Sequence, residues 1–130
     1  MKRMIVNADD FGFSEAVNHG ILKAMQEGIV TSIMANMPGF AHAVQLYHEH
    51  PDMAVGVHLN LTCYRPLLST HQTLVTETGY FHKQDDVAGY SESEMYEELK
   101  AQIAVFLRMV FGLIIWILIT TFIQLKSCRR

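Results

Sequence analysis

The feature that most constrains this chain is a short apolar run, Met4-Ile5-Val6, that stops abruptly in Asn7-Ala8-Asp9-Asp10-Phe11-Gly12. Such a run reads as a strand buried on both faces, the habit of a parallel sheet. The strand is expected over residues 3–8, with the two acids just past its C-terminal end. α/β folds place their chemistry at that end of their strands. Two adjacent carboxylates there are costly to solvate together. One is expected to hold a cation, which leaves the other free to act as a base.

The residues that follow alternate helix and strand signals. Ser14 suits an N-cap, Glu15 suits the positive end of a helix dipole, and Gly28 suits a C-terminal stop. Val17, Ile21, Ala24 and Met25 fall on one helical face between them. A second strand is expected over residues 29–35. A helix follows from about Phe40 to His50, burying either Phe40, Val44 and Tyr47 or Ala43 and Leu46, and Pro51-Asp52 breaks it. A third strand over residues 53–59 carries His58 near its end. Residues 64–90 are less regular, with a short hairpin expected at Gly79-Tyr80-Phe81. Ser91-Glu92-Ser93-Glu94 opens a last helix with Met95, Leu99, Ile103 and Phe106 on its apolar side. The order βαβαβ, long loop, α predicts a parallel sheet, either doubly wound or part of a barrel.

Composition narrows the setting. The 130 residues suffice for one small domain, and a net charge of -3 leaves no basic footprint for nucleic acid and no acidic tail. Cys63 and Cys128 form no CxxC pair, which suits a reduced, cytoplasmic setting. Lys2 and Arg3 resemble the start of a signal peptide, but the apolar run ends at Asn7, short of the roughly 7–15 residues such a peptide needs.

In a parallel sheet Asp9, Asp10 and His58 come to the same edge. Aspartate and histidine with room for a third ligand and a water suit a hydrolytic metal site. By themselves the acids also suit a solvated turn, and His58 a hydrogen-bonded strand end. His19, His42, His48, His50, His71 and His82 read as solvated.

These residues carry a resemblance. Val6-Asn7-Ala8-Asp9-Asp10-Phe11-Gly12, with Ser14, Val17, Asn18, Gly20 and Ile21, then Gly28 to Ser32, then Val55 to Thr62 and Arg65-Pro66-Leu67, resemble the YdjC-like carbohydrate deacetylases from residue 1 to about residue 107. The resemblance implies a distorted (β/α) barrel of the polysaccharide-deacetylase type. It implies removal of acetyl groups from N-acetylated sugars such as chitooligosaccharides with a divalent metal, usually magnesium, and allows a homodimer in intact relatives. Carried over by position, Asp10 and His58 match metal ligands and Asp9 matches the catalytic carboxylate.

Past residue 107 the resemblance ends. The family's third ligand belongs to a pattern HLDSHHHxH, and this chain has Ile114-Ile115-Trp116-Ile117-Leu118-Ile119-Thr120-Thr121-Phe122-Ile123 in its place. Read in the frame one base earlier, the bases spanning Trp116 and Ile117 must encode aspartate. The neighbouring codons admit every other residue of that pattern. Residues 1–107 are therefore expected to be the N-terminal part of the barrel. Residues 108–130 are expected to be a frameshifted apolar tail that leaves the chain truncated and inactive. The rival expectation is a membrane anchor over residues 109–125, at the short limit for a span, with Arg129 and Arg130 inside. The chain would then be a sugar-binding module without turnover. Another metal hydrolase, such as a phosphoesterase, fits the acids and histidine but lacks a glycine-rich or basic phosphate cradle. An open sheet edge and the tail predict marginal stability and poor solubility.

Overall fold

The computed structural model describes the backbone of residues 4–127, and side chains through residue 110 except at positions 85 and 88. The elements are β1 (Asn7–Phe11), α1 (Glu15–Met25), β2 (Val30–Ile33), α2 (Phe40–Glu49), β3 (Val55–Val57) and α3 (Glu92–Ser127). The strands form a parallel sheet in the order β1-β2-β3. Each connection carries a helix, as parallel pairing demands.

Local chemistry explains the helices. Ser14 is extended and its Oγ accepts from Val17 N at 3.3 Å, which starts α1. Gly28 ends the turn after α1 at φ 82, a conformation that suits glycine. On α2 the alternatives resolve in favour of Ala43 and Leu46, which are buried, while Phe40, Val44 and Tyr47 rim the same core. That core unites Phe11, Ile21, Ile33 and Met109 with them, so the sheet, both crossover helices and α3 share one apolar centre.

The entry to the sheet departs from expectation. Met4, Ile5 and Val6 are 86%, 83% and 46% exposed, and the strand proper begins at Asn7. Among the described residues β1 pairs only with β2, so nothing covers the run that leads into it. The acid pair lies inside β1, not beyond it.

The last helix also departs. Met95 packs on a second small core of Leu74, Phe81 and Tyr90, and Phe106 joins the first core, but Ile103 is 39% exposed. Among the described residues of this helix, Glu98 and Gln102 have no exposure. They lock the long loop. Glu98 accepts from Leu67 N, Leu68 N, Gln102 Nε2 and lies 3.1 Å from His71 Nε2. His71, expected to be solvated, is therefore buried. Val75 and Phe81 bridge around Gly79, so the expected hairpin forms. Burial pushes the Tyr90 phenol up, and its hydroxyl donates to Leu61 O at 3.1 Å. Among the described residues no helix is long and apolar enough to cross a membrane. The side chains of 111–130, on which the tail and anchor expectations rest, lie outside the described residues.

Candidate metal and catalytic edge

A bulge in β1 positions the two acids. Ala8 pairs with Thr31 and Phe11 with Ile33, so Asp9 and Asp10 together face the single residue Ser32. That is one residue too many for a regular ladder, and the strand bends to hold it. Asp10 absorbs the bend at φ 71, a left-handed conformation that a short polar side chain tolerates better than most. In a regular strand neighbouring side chains point to opposite faces. Here both carboxylates approach the residue that follows β3. His58 Nδ1 lies 3.6 Å from Asp10 Oδ1 and 4.0 Å from Asp9 Oδ1.

The pair is solvated, although two adjacent carboxylates are costly to solvate together. The Asp9 and Asp10 side chains are 61% and 54% exposed, against 29% for His58. Among the described residues β1 has one neighbouring strand, and both acids reach water.

The two acids are held differently. Asp9 Oδ1 accepts from Ser32 Oγ at 2.6 Å and from Asn7 Nδ2. Ser32 Oγ also lies 3.4 Å from His58 Nδ1, which ties β2 to both functional ends. Among the described residues no donor reaches the other oxygen of Asp9, and neither oxygen of Asp10 accepts a hydrogen bond. Asp9 is thus oriented with one oxygen spare, and Asp10 keeps its whole valence open.

The turn behind the acids is rigid. Asn18 is fully buried, accepts from Gly12 N at 2.7 Å and donates to Gly39 O at 2.9 Å. Gly12 sits at φ 98, where a Cβ would come within 2.8 Å of Met34 O. Gly39 is as tight, since its Cβ would meet Ser14 Cα at 2.7 Å. The loops after β1 and β2 therefore interlock backbone to backbone, and α1 pins the seam through Asn18.

The donor set fits a hard cation. Carboxylate oxygen and imidazole nitrogen suit a divalent ion, and two adjacent ligands of an octahedral magnesium site lie about 3 Å apart. The Asp10–His58 spacing of 3.6 Å is close to that and too long for a good hydrogen bond. Among the described residues no group of three or more His, Cys, Asp or Glu side chains is arranged to hold a metal ion. The site is two carboxylates and one imidazole gathered at one edge.

Sequence reasoning named Asp9, Asp10 and His58, and the fold brings all three together. It missed Ser32, Asn7 and Asn18. All three stand in the stretches that carry the family resemblance, yet only the register of β1 on β2 reveals that Ser32 faces the bulge. A cavity of about 210 Å³ lined by Met25, Gly28, Asp52 and Met53 opens at the opposite edge, away from these residues.

The fold and this edge define an α/β protein that gathers carboxylates and a histidine at the C-terminal ends of parallel strands. Comparison gives the family. A family profile described as YdjC-like protein matches residues 3–115, and the chain belongs to that family. A carbohydrate deacetylase of Geobacillus stearothermophilus is 47% identical over 112 residues, which cover 84% of this chain and 44% of the relative. A carbohydrate deacetylase of Vibrio cholerae is 40% identical over 112 residues, again 44% of its own length. A crystal structure of an Enterococcus faecalis protein described as a cellobiose-phosphate cleavage protein aligns with a TM-score of 0.74 at 34% identity. That alignment covers 81% of this chain and 43% of the other. The chain spans less than half the length of the relatives it matches.

Proposed function

We propose that this chain is the N-terminal part of a metal-dependent carbohydrate deacetylase, a cytoplasmic hydrolase of N-acetylated amino-sugar oligosaccharides. Its three strands and two crossover helices suit the opening of a (β/α) barrel of the polysaccharide-deacetylase type, which takes about 250 residues when complete. The observation that carries the reading is the β1 bulge, which turns two neighbouring acids toward one histidine and leaves them unequally bonded.

The roles follow from that inequality. Asp10 and His58 would hold the divalent cation, magnesium by the family resemblance. When bound, such an ion supplies Lewis-acid polarisation of an acetamide carbonyl and acidifies a water. Asp9 is the base. Ser32 and Asn7 fix its Oδ1, so its other oxygen is the one presented to a water proton. The same carboxyl, once protonated, can hand that proton to the departing amine nitrogen. Ser32 keeps Asp9 and His58 in register while the proton moves. Two ligands from this stretch bind a cation weakly, so these 130 residues alone turn over slowly or not at all.

Calorimetric titration of the chain with manganese and magnesium tests the assignment. Weak saturable binding is expected, lost in Asp10→Asn and His58→Ala and retained in Asp9→Asn. Acetate release from N-acetylchitobiose is expected to be negligible for the chain itself. Cation binding that is absent, or indifferent to Asp10 and His58, would overturn the assignment.

A further inference from the structure

The loop after β3 carries a second feature at the same edge of the sheet as the acids. Tyr64 sits at φ 66, a left-handed conformation that a bulky side chain rarely adopts. The strain is held by a dense set of hydrogen bonds. Asn36, just past β2, donates to Cys63 O at 3.1 Å and to Arg65 O at 2.9 Å. Asn60 donates to Cys63 O at 2.7 Å and accepts from Thr62 N and Cys63 N. Phe81 N reaches Tyr64 O at 2.8 Å. Gln102 clasps Asn60 from both sides of its peptide, with bonds to its N and O of 2.9 and 2.7 Å.

All this order is spent on presenting side chains outward. Tyr64 and Tyr80 are 38% and 40% exposed and meet edge to face at 5.7 Å between ring centres. Arg65 lies over the Tyr80 ring at 4.1 Å. Among the described residues its guanidinium pairs with no carboxylate. A core role would bury these rings, and a casual loop would not hold a tyrosine in a strained conformation.

We propose that Tyr64, Arg65 and Tyr80 form a platform that docks a pyranose ring of the substrate glycan. This rests on the deacetylase reading for its choice of ligand. Aromatic faces suit the C–H face of a sugar, and binding sites pair such apolar surface with a few fixed polar groups. The free N–H groups of Arg65 supply donors for ring hydroxyl or acetamide oxygens. The platform lies in the loop that leaves the C-terminal end of β3, and Asn36 just past β2 ties that loop to the neighbouring strand end. Rigidity matters because a preordered loop loses little entropy on binding.

The test measures binding of N-acetylchitobiose to the full chain by NMR titration, with EDTA present and in a phosphocholine detergent that carries no sugar. Saturable binding is expected, with the Tyr64 and Tyr80 ring signals shifting. Tyr80→Ala is expected to weaken it about tenfold, and Tyr80→Phe to leave it nearly unchanged. Tyr64→Gly is the sharpest variant. Glycine relieves the strained backbone, so the melting temperature is expected to hold or rise while affinity falls, a split that a structural role for Tyr64 would not produce. Glu49→Gln, at the exposed end of α2, is expected to bind the sugar like the parent chain, and because EDTA removes any cation the failure of the metal assignment stays distinguishable from failure of the platform. No saturable binding by the parent chain, or binding indifferent to both tyrosines, would overturn the proposal.

Discussion

Two acid–histidine groups in this molecule use the same chemistry to opposite ends. At the strand edge Asp9 and Asp10 face His58 in water, more than half exposed, with at least one carboxylate unbonded by the protein. Under the long loop Glu98 faces His71 with no exposure at all. The Glu98 oxygens accept from two backbone amides and one amide side chain, and the His71 imidazole lies 3.1 Å away, so all four neighbours crowd one carboxylate. Residue type does not separate a site from a strut here. Unspent valence does. Glu98 is satisfied and holds residues 67–71 against α3, whereas Asp10 is unsatisfied and available to a ligand.

The comparison is most easily broken by deletion. Glu98→Ala leaves two backbone amides, Gln102 and His71 without their shared acceptor in a dry site, and is expected to cost ~3–5 kcal/mol. Asp10→Asn is expected to change stability by less than ~0.5 kcal/mol, as an exposed substitution should, while removing cation binding. Urea unfolding of the two variants beside the parent chain measures both. An Asp10 variant more damaging than the Glu98 variant would reverse the assignment of strut and site.

A smaller effect sharpens it. Asp10 stands at φ 71, so Asp10→Gly is expected to raise stability by up to about 1 kcal/mol while cation binding disappears. Stability and function would then move in opposite directions at one residue, which is the signature of strain kept for a site. A loss of stability in this variant would mean that the Asp10 side chain supports the fold.

The smallest effect is one of pH. Glu94, on the exposed first turn of α3, accepts from Thr73 Oγ1 and from the amides of Gln72 and Thr73, and its pKa falls to about 2, with the Thr73 hydroxyl the largest cause. The folded chain thus binds fewer protons at this group than the unfolded chain between pH of about 2 and 4.5. Its contribution is present above the ordinary glutamate range and is lost as pH falls toward that lower value. Comparing unfolding midpoints of Glu94→Gln and the parent chain across this window should show a gap that closes on acidification. A gap independent of pH would remove the charge from the account.

Much of the frame was legible along the chain. The Ser14 cap, the Gly28 stop and the alternation of strand and helix signals depend on contacts between near neighbours, and each appears where local chemistry puts it. The convergence of Asp9, Asp10 and His58 was legible too, because parallel strands bring their C-terminal ends to one edge. The face of α3 was not. Met95, Leu99, Ile103 and Phe106 make a tidy apolar stripe, yet Ile103 is exposed while Glu98 and Gln102 are buried. Their partners Leu67, Leu68, His71 and Asn60 lie 27 to 42 positions away in the chain, so no local period could signal that polar burial would be satisfied.

The sequence by itself determined which residues could do chemistry and at which edge they would gather, because strand, helix and cap preferences act over a few residues. Only the tertiary structure decided how they are aimed. The β1 bulge exists because β2 imposes its register, and a misfit of one residue against a neighbouring strand cannot be read from either strand alone. That misfit turns Asp10 into the left-handed region, sets Asp9 against Ser32, and makes two adjacent acids unequal.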